Sequence, residues 1–246
     1  ASEALRALDK FDEALEHLNK SIELNEKGGA GYVLRARLLA QQGEHEKAEK
    51  DLNEALKRNP RLLPALLMRA ETRMRLAKFK EAEKDINRVL AASPGLDTAI
   101  LLRAGIMAAQ ENFLAAISDL EQLLARNPSN VEIRQQIAAM YVADKRPSKA
   151  IEILDEILGD DPDNWQVLRT RGDVLLSISK QKEAIADYER ALKLHKEETD
   201  DGLYNNLAWV LATSPNENLR DGKRSIKLAK KACELTDYKA AHILST

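Results

Sequence analysis

Residues 29–62 read GAGYVLRARLLAQQGEHEKAEKDLNEALKRNPRL, and most of the chain is a variation on that unit. Its Ala48 belongs to a column, Ala14, Ala48, Ala82, Ala116, Ala150 and Ala184, in which each member lies 34 residues from the next. A second column on the same period, Ala36, Ala70, Ala104, Ala138 and Gly172, is always small. Pro60, Pro94, Pro128 and Pro162 make a third. Self-similarity at a fixed period of this length marks a repeat architecture, so it governs every later reading.

Each column has a physical reason. A small residue early in the unit and an alanine midway let two antiparallel helices cross at about 8–10 Å. Leu52, Ile86, Leu120, Leu154 and Tyr188 follow the midway alanines by four residues. They share the alanines' helical face and fill the flanks of the crossing. Proline cannot continue a helix. The residues before those prolines, Asn59, Ser93, Asn127 and Asp161, are turn formers that proline holds out of the α region. Every unit therefore reads helix A, short turn, helix B, stop. The expected units are 1–28, 29–62, 63–96, 97–130, 131–164, 165–198 and 199–237, with helix B of the first near 11–24 and the start of an eighth helix A at 238–246. In the seventh, an extended turn through Ser214, Pro215 and Asn216 delays helix B to about Leu219 or Arg220.

The spacing, the two small columns and the closing proline resemble the tetratricopeptide repeat (TPR) family over essentially the whole chain. The resemblance implies an all-α fold, a right-handed α-α superhelix of about seven hairpins forming one solenoid domain, residues 1–246. It also implies that helices A line a concave surface and helices B the outside. Residues 205–215, with Lys230, Lys231, Ala232, Cys233, Glu234 and Leu235, are similar to a variant unit found near the end of TPR arrays in large bacterial proteins. One column departs from the family. Where a large residue, often Leu, precedes the small helix A position, this chain has Arg35, Arg69, Arg103 and Arg171, with Ile137 between them. Two readings stand: a cationic surface for a partner, or stems lying along the hairpin with heads reaching acidic neighbours.

Composition narrows the function classes. Lys plus Arg (38) nearly balances Asp plus Glu (40), which argues against a nucleic-acid partner. No apolar run approaches a membrane span of about 18 residues. Cys233, alone, makes no internal disulfide. The chain reads as beginning in mid-repeat, with no basic-then-apolar leader in this stretch, so the compartment stays open and the cytoplasm is the default expectation.

The expectation for chemistry is no catalytic residue, no cofactor and no metal. His17, His45, His195 and His242 are scattered singly and read as surface histidines on charged helices. His45-Glu46 begins like a zinc protease helix, but Glu49 stands where the second histidine is required. Gly222, Lys223 and Ser225 lack the first glycine and the strand of a phosphate loop. Gly28, Gly29, Ala30 and Gly31 read as an inter-repeat linker, as do Asp160, Asp161, Pro162 and Asp163. Arg220, Lys223, Arg224, Lys227, Lys230 and Lys231 read as a solvated outer face, and Cys233 as a packed small hydrophobe.

What remains is binding. Helical spacing gives the inward rows of helices A as Val33, Arg37 and Ala40; Leu67, Glu71, Met74 and Arg75; Leu101, Gly105 and Ala108; Gln135, Ala139 and Val142; Arg169, Asp173 and Leu176; Asn205 and Trp209. The centre of this stripe is apolar or small and its flanks carry both charges. Such a stripe either receives a peptide or protein segment or packs between neighbouring helices A. The groove reading selects Arg37, Leu67, Glu71, Met74, Leu101, Ala108, Gln135, Val142, Arg169 and Asp173. The Lys and Asn clamp by which some TPR domains hold a terminal carboxylate is not supplied: its places hold Val33, Arg37, Met68, Thr98 and Leu102. The alternative class is a structural scaffold, or a self-assembly segment of a larger bacterial protein, associating through uncapped array ends.

Overall fold

The computed structural model describes residues 2–25, 28–196 and 199–236. Among them are thirteen α-helices and one 3-10 turn, and no strand. The chain divides into two compact units, Ala1–Leu123 and Leu124–Thr246. The first holds α1 (Ser2–Leu24), α2 (Ala30–Gln41), α3 (His45–Arg58), α4 (Leu63–Arg75), α5 (Phe79–Ala92), α6 (Asp97–Ala109) and all but the last residue of α7 (Phe113–Leu124). The second holds α8 (Val131–Ala143), α9 (Pro147–Asp160), α10 (Trp165–Ser177), α11 (Gln181–Leu194), α12 (Asp201–Thr213) and α13 (Gly222–Leu235). Even-numbered helices are helices A and odd-numbered ones helices B.

In the first unit α2 packs on α3 and α4 on α5, and α1, α3 and α5 also meet the next helix A. Helices A lie side by side, α2 against α4 and α4 against α6. The second unit repeats the pattern with α8 on α9, α10 on α11 and α12 on α13. The small columns sit at these crossings. Ala36, Ala48, Ala70, Ala82, Ala138, Ala150 and Ala184 are all at most 1 % exposed. Leu52, Ile86, Leu120, Leu154 and Tyr188 are buried beside them. Each such aliphatic side chain contributes about 1.5–3 kcal/mol by leaving water. Before the prolines, Asn59, Ser93 and Asp161 are extended, with φ of -134°, -142° and -133°.

The first helix differs from expectation. It runs unbroken from Ser2, where helix B alone was placed near 11–24. Residues 2–10 contain neither Gly nor Pro, and Asp9 stands where the next unit has the turn-forming Gly43, so nothing interrupts the helix. In the seventh unit the 3-10 turn Glu217–Leu219 precedes α13, which starts at Gly222 under a side-chain cap from Asp221. The expected eighth helix A, 238–246, lies outside the described residues.

Candidate functional site

The arginine column belongs to the hairpins themselves. Arg35, Arg69, Arg103 and Arg171 each grip, with two nitrogens, the carboxylate 16 residues on: Asp51, Asp85, Asp119 and Asp187, at 2.6–2.8 Å. Each also reaches back to the preceding helix B, donating to Asn19, Asn53, Asn87 or Asp155. One planar fork thus ties three helices, and the bidentate geometry is the strong form of a charge-assisted hydrogen bond. The hydrogen bond donated to each aspartate holds the guanidinium of Arg35, Arg103 and Arg171 above its ordinary pKa, against the opposing effect of burial. In the one unit where Ile137 replaces the arginine, the residue 16 on is Ile153. Ile137 is buried and Ile153 packs on the same core as its neighbours. Both charges have been replaced together, which avoids leaving one buried and unpaired. Arg73 adds to the network, donating to Glu49 at 2.8 Å and Asp85 at 2.7 Å, while Lys78 donates to Glu49. Burial pushes the Glu49 carboxyl up, but Lys78 and Arg73 outweigh it and hold it below its usual range. This column leaves no free cation for a ligand.

Arg37 is two residues from Arg35, so it points to the other side of α2. In the first unit Arg37 and Glu71 are exposed, Leu67, Met74 and Ala108 are half-buried, and Leu101 is 40 % exposed. The structure brings Arg37 and Glu71 together on one depression of about 360 Å³, lined also by Ala40, Gln41, His45, Met68, Thr72 and Arg75. Leu101 and Ala108, on α6, do not line it. Arg37, Glu71 and Arg75 make no side-chain hydrogen bond or ion pair with the described residues, although Glu71 and Arg75 are one helical turn apart. The depression is built from α2 and α4, with His45 entering from the start of α3. Met68, Thr72 and His45 were not read as its lining. Met68 and Thr72 are each one residue past the inward row, and the approach of α2 to α4 turns that edge into the wall.

In the second unit Gln135 is half-buried and Val142 is 39 % exposed. Arg169 and Asp173 serve internal contacts. Asp173 accepts from the Tyr188 hydroxyl at 2.7 Å and from Asn206 at 2.8 Å, joining α10 to α11 and α12. Arg169 pairs with Asp200, the N-cap of α12, at 2.5 Å. Burial, and then the Asp173 charge, push the Tyr188 hydroxyl pKa up, so the tyrosine stays a donor. A Cβ at residue 172 would lie 2.6 Å from the Tyr188 ring, which is why this small column carries glycine there. Trp209 is 45 % exposed on α12.

The other singled-out residues have structural places. His195 is a correction to the surface reading: it is buried, stacks on Trp165 with ring centroids 4.0 Å apart, and accepts from the Thr199 amide at 3.1 Å. His17 is exposed and His45 half-buried, while His242 lies outside the described residues. Cys233 is buried against Tyr204 and Ala232. Arg224 and Arg220 pair with Glu189 and Glu217. Among the described residues, no group of His, Cys, Asp and Glu is placed to hold a metal ion, and no helix is long and apolar enough to cross a membrane.

Comparison with known proteins agrees with this architecture. Two family profiles described as Tetratricopeptide repeat match residues 1–62 and 107–171, together about half of the chain. No curated protein matches it. Among solved structures, the C-terminal part of a TPR repeat-containing protein from Cytophaga hutchinsonii superposes with a TM-score of 0.76 at 16 % identity, covering 99 % of this chain and 96 % of its own. A tetratricopeptide repeat protein from Parabacteroides merdae gives 0.65 at 20 % identity, covering 99 % and 94 %. YrrB, described as a TPR protein with an unusual peptide-binding site, gives 0.58 at 18 % identity, covering 74 % and 93 %. These likenesses show the fold. With the small columns buried from Ala36 to Ala184 and the profiles matching in both units, the chain belongs to the tetratricopeptide repeat family.

Proposed function

We propose that this chain is a non-catalytic interaction module that receives a peptide or protein segment on the exposed faces of its helices A. One observation carries the reading. The charged groups at the hairpin seams are satisfied internally, whereas the free face of α2 and α4 keeps three charges unpaired around a depression. Exposed apolar side chains stand on other helices A: Leu101 on α6, Val142 on α8 and Trp209 on α12. Unpaired charge and exposed apolar side chains are both features of recognition surfaces. That YrrB, of the same fold, has a peptide-binding site supports the reading.

The test is selection of peptide binders from a displayed library of randomised linear peptides, followed by measurement on variants. Leu101→Asp and Val142→Asp, one in each unit and made singly, are each expected to weaken the peptides that their own unit binds by about tenfold or more. Lys84→Glu, on the exposed outer face of α5, is the control and leaves them unchanged. Helical circular dichroism should match in all variants. Peptides that bind both helix A variants as tightly as the parent chain would sink the proposal.

A further inference from the structure

Resting on that reading, we infer that the α2–α4 depression takes an acidic side chain of the bound segment, with an aliphatic side chain next to it. The argument begins with the six arginines of α2, α4 and α6. Arg35, Arg69, Arg73 and Arg103 each hold a carboxylate of this chain. Arg37 and Arg75 hold none among the described residues, and both line the depression. A guanidinium keeps its charge at every accessible pH and presents a flat fork matched to a carboxylate. Two such forks beside one cavity are a vacant version of the seams a few ångströms of helix away.

The rest of the lining fits the same ligand. Arg37 and Arg75 outnumber Glu71, so the wall is positive. Ala40 and Met68 supply apolar surface, and methionine adapts to aliphatic side chains of different shape. Thr72 adds none of its polarity to the cavity, since it is 2 % exposed and its hydroxyl donates to the Met68 carbonyl. Glu71 is the discordant group. It repels an acidic residue placed near it, and so limits how many carboxylates the depression accepts.

The experiment is the randomised-peptide selection on the whole chain, repeated on two variants. Parent selections are expected to enrich Asp or Glu adjacent to Leu, Ile or Met. Arg37→Glu with Arg75→Glu should lose those peptides by about tenfold or more and enrich Lys or Arg in their place. Glu71→Gln should tighten the acidic peptides several-fold. All three positions are exposed and unpaired, so thermal stability is expected to hold and reports that folding is intact. Enriched peptides without acidic residues, or acidic peptides that bind the charge-reversed chain equally, overturn the inference. If Leu101→Asp still removes binding in that case, peptide recognition stands and only the acidic anchor fails. If neither variant matters, both fall.

Discussion

Gly43, Ala77, Glu111, Lys145 and Ser179 end the five A helices from α2 to α10 in the left-handed region, with φ of 79°, 56°, 60°, 57° and 62°. The residue after each donates its amide to the carbonyl five back, as Arg146 does to Tyr141 at 2.8 Å and Lys78 to Arg73 at 2.8 Å. This cap satisfies carbonyls the helix leaves open, and glycine is its usual occupant. A side chain there costs about 1–2 kcal/mol, against about 0.5–1 kcal/mol of extra chain entropy for glycine. Lys145→Gly is therefore expected to stabilise the chain by about 0.5–1 kcal/mol, read as a melting temperature raised by about 1–4 °C. An unchanged or lower value would mean that Lys145 makes a contact worth as much as the strain. The column was not legible in the sequence, because a single glycine on the 34-residue period looks like an accident when Ala, Glu, Lys and Ser fill the other places. The arginine column was legible as a departure from the family. Its aspartates were legible only in principle, three residues after each midway alanine, since nothing in one dimension says which acid the fork will reach.

At the scale of elements, helices A start differently in the two units. Leu62, Leu96, Asn130 and Asn164 share one place in the repeat and one backbone conformation, φ -71° to -77° and ψ 91° to 102°. Asn130 and Asn164 accept from the amides of Ile133 and Val167 at 2.9 and 3.2 Å, while the leucines leave that amide without a side-chain acceptor. Leu96 is 36 % exposed and already holds the capping conformation. Leu96→Asn is expected to stabilise by up to about 1 kcal/mol, the worth of a cap less the apolar area given up. Slower amide exchange in the first turn of α6 is the measurement, and faster exchange there would refute it. Helix order and the A–B pairing were legible because proline, alanine and large apolar positions each impose one local geometry. The faces of helices A were less so. Spacing alone put Arg169 and Asp173 on the same row as Arg37 and Glu71, yet α11 and α12 supply Tyr188, Asn206 and Asp200 to engage them. Whether a row stays open depends on what the next helix carries, which no single helix records.

Across the molecule, the repeat columns vary in coupled pairs rather than singly. Ile137 comes with Ile153 where other units have Arg and Asp, and Gly172 comes with Tyr188 where others have Ala with Leu or Ile. In a repeat array each unit meets only its neighbours, so a mismatch between coupled columns has nowhere to relax. A Cβ at Gly172 would lie 2.6 Å from Cε1 and 2.9 Å from Cδ1 of Tyr188, whose ring is fully buried and whose hydroxyl is held by Asp173. Gly172→Ala should therefore cost about 1–3 kcal/mol of overpacking, only partly offset by about 1 kcal/mol of helix propensity. Tyr188→Leu alone should also destabilise, by leaving a cavity and an unmet acceptor on Asp173. Together the two restore the pairing that Ala138 and Leu154 make, both buried without strain. The double variant is expected to be more stable than the sum of the single losses predicts, by about 0.5–3 kcal/mol. Amide exchange in α10 and α11 is the proper readout, because an array need not open in one step and a global midpoint would average the effect away. Strict additivity would show that the two positions are independent, and that glycine stands at 172 for some reason other than the tyrosine ring.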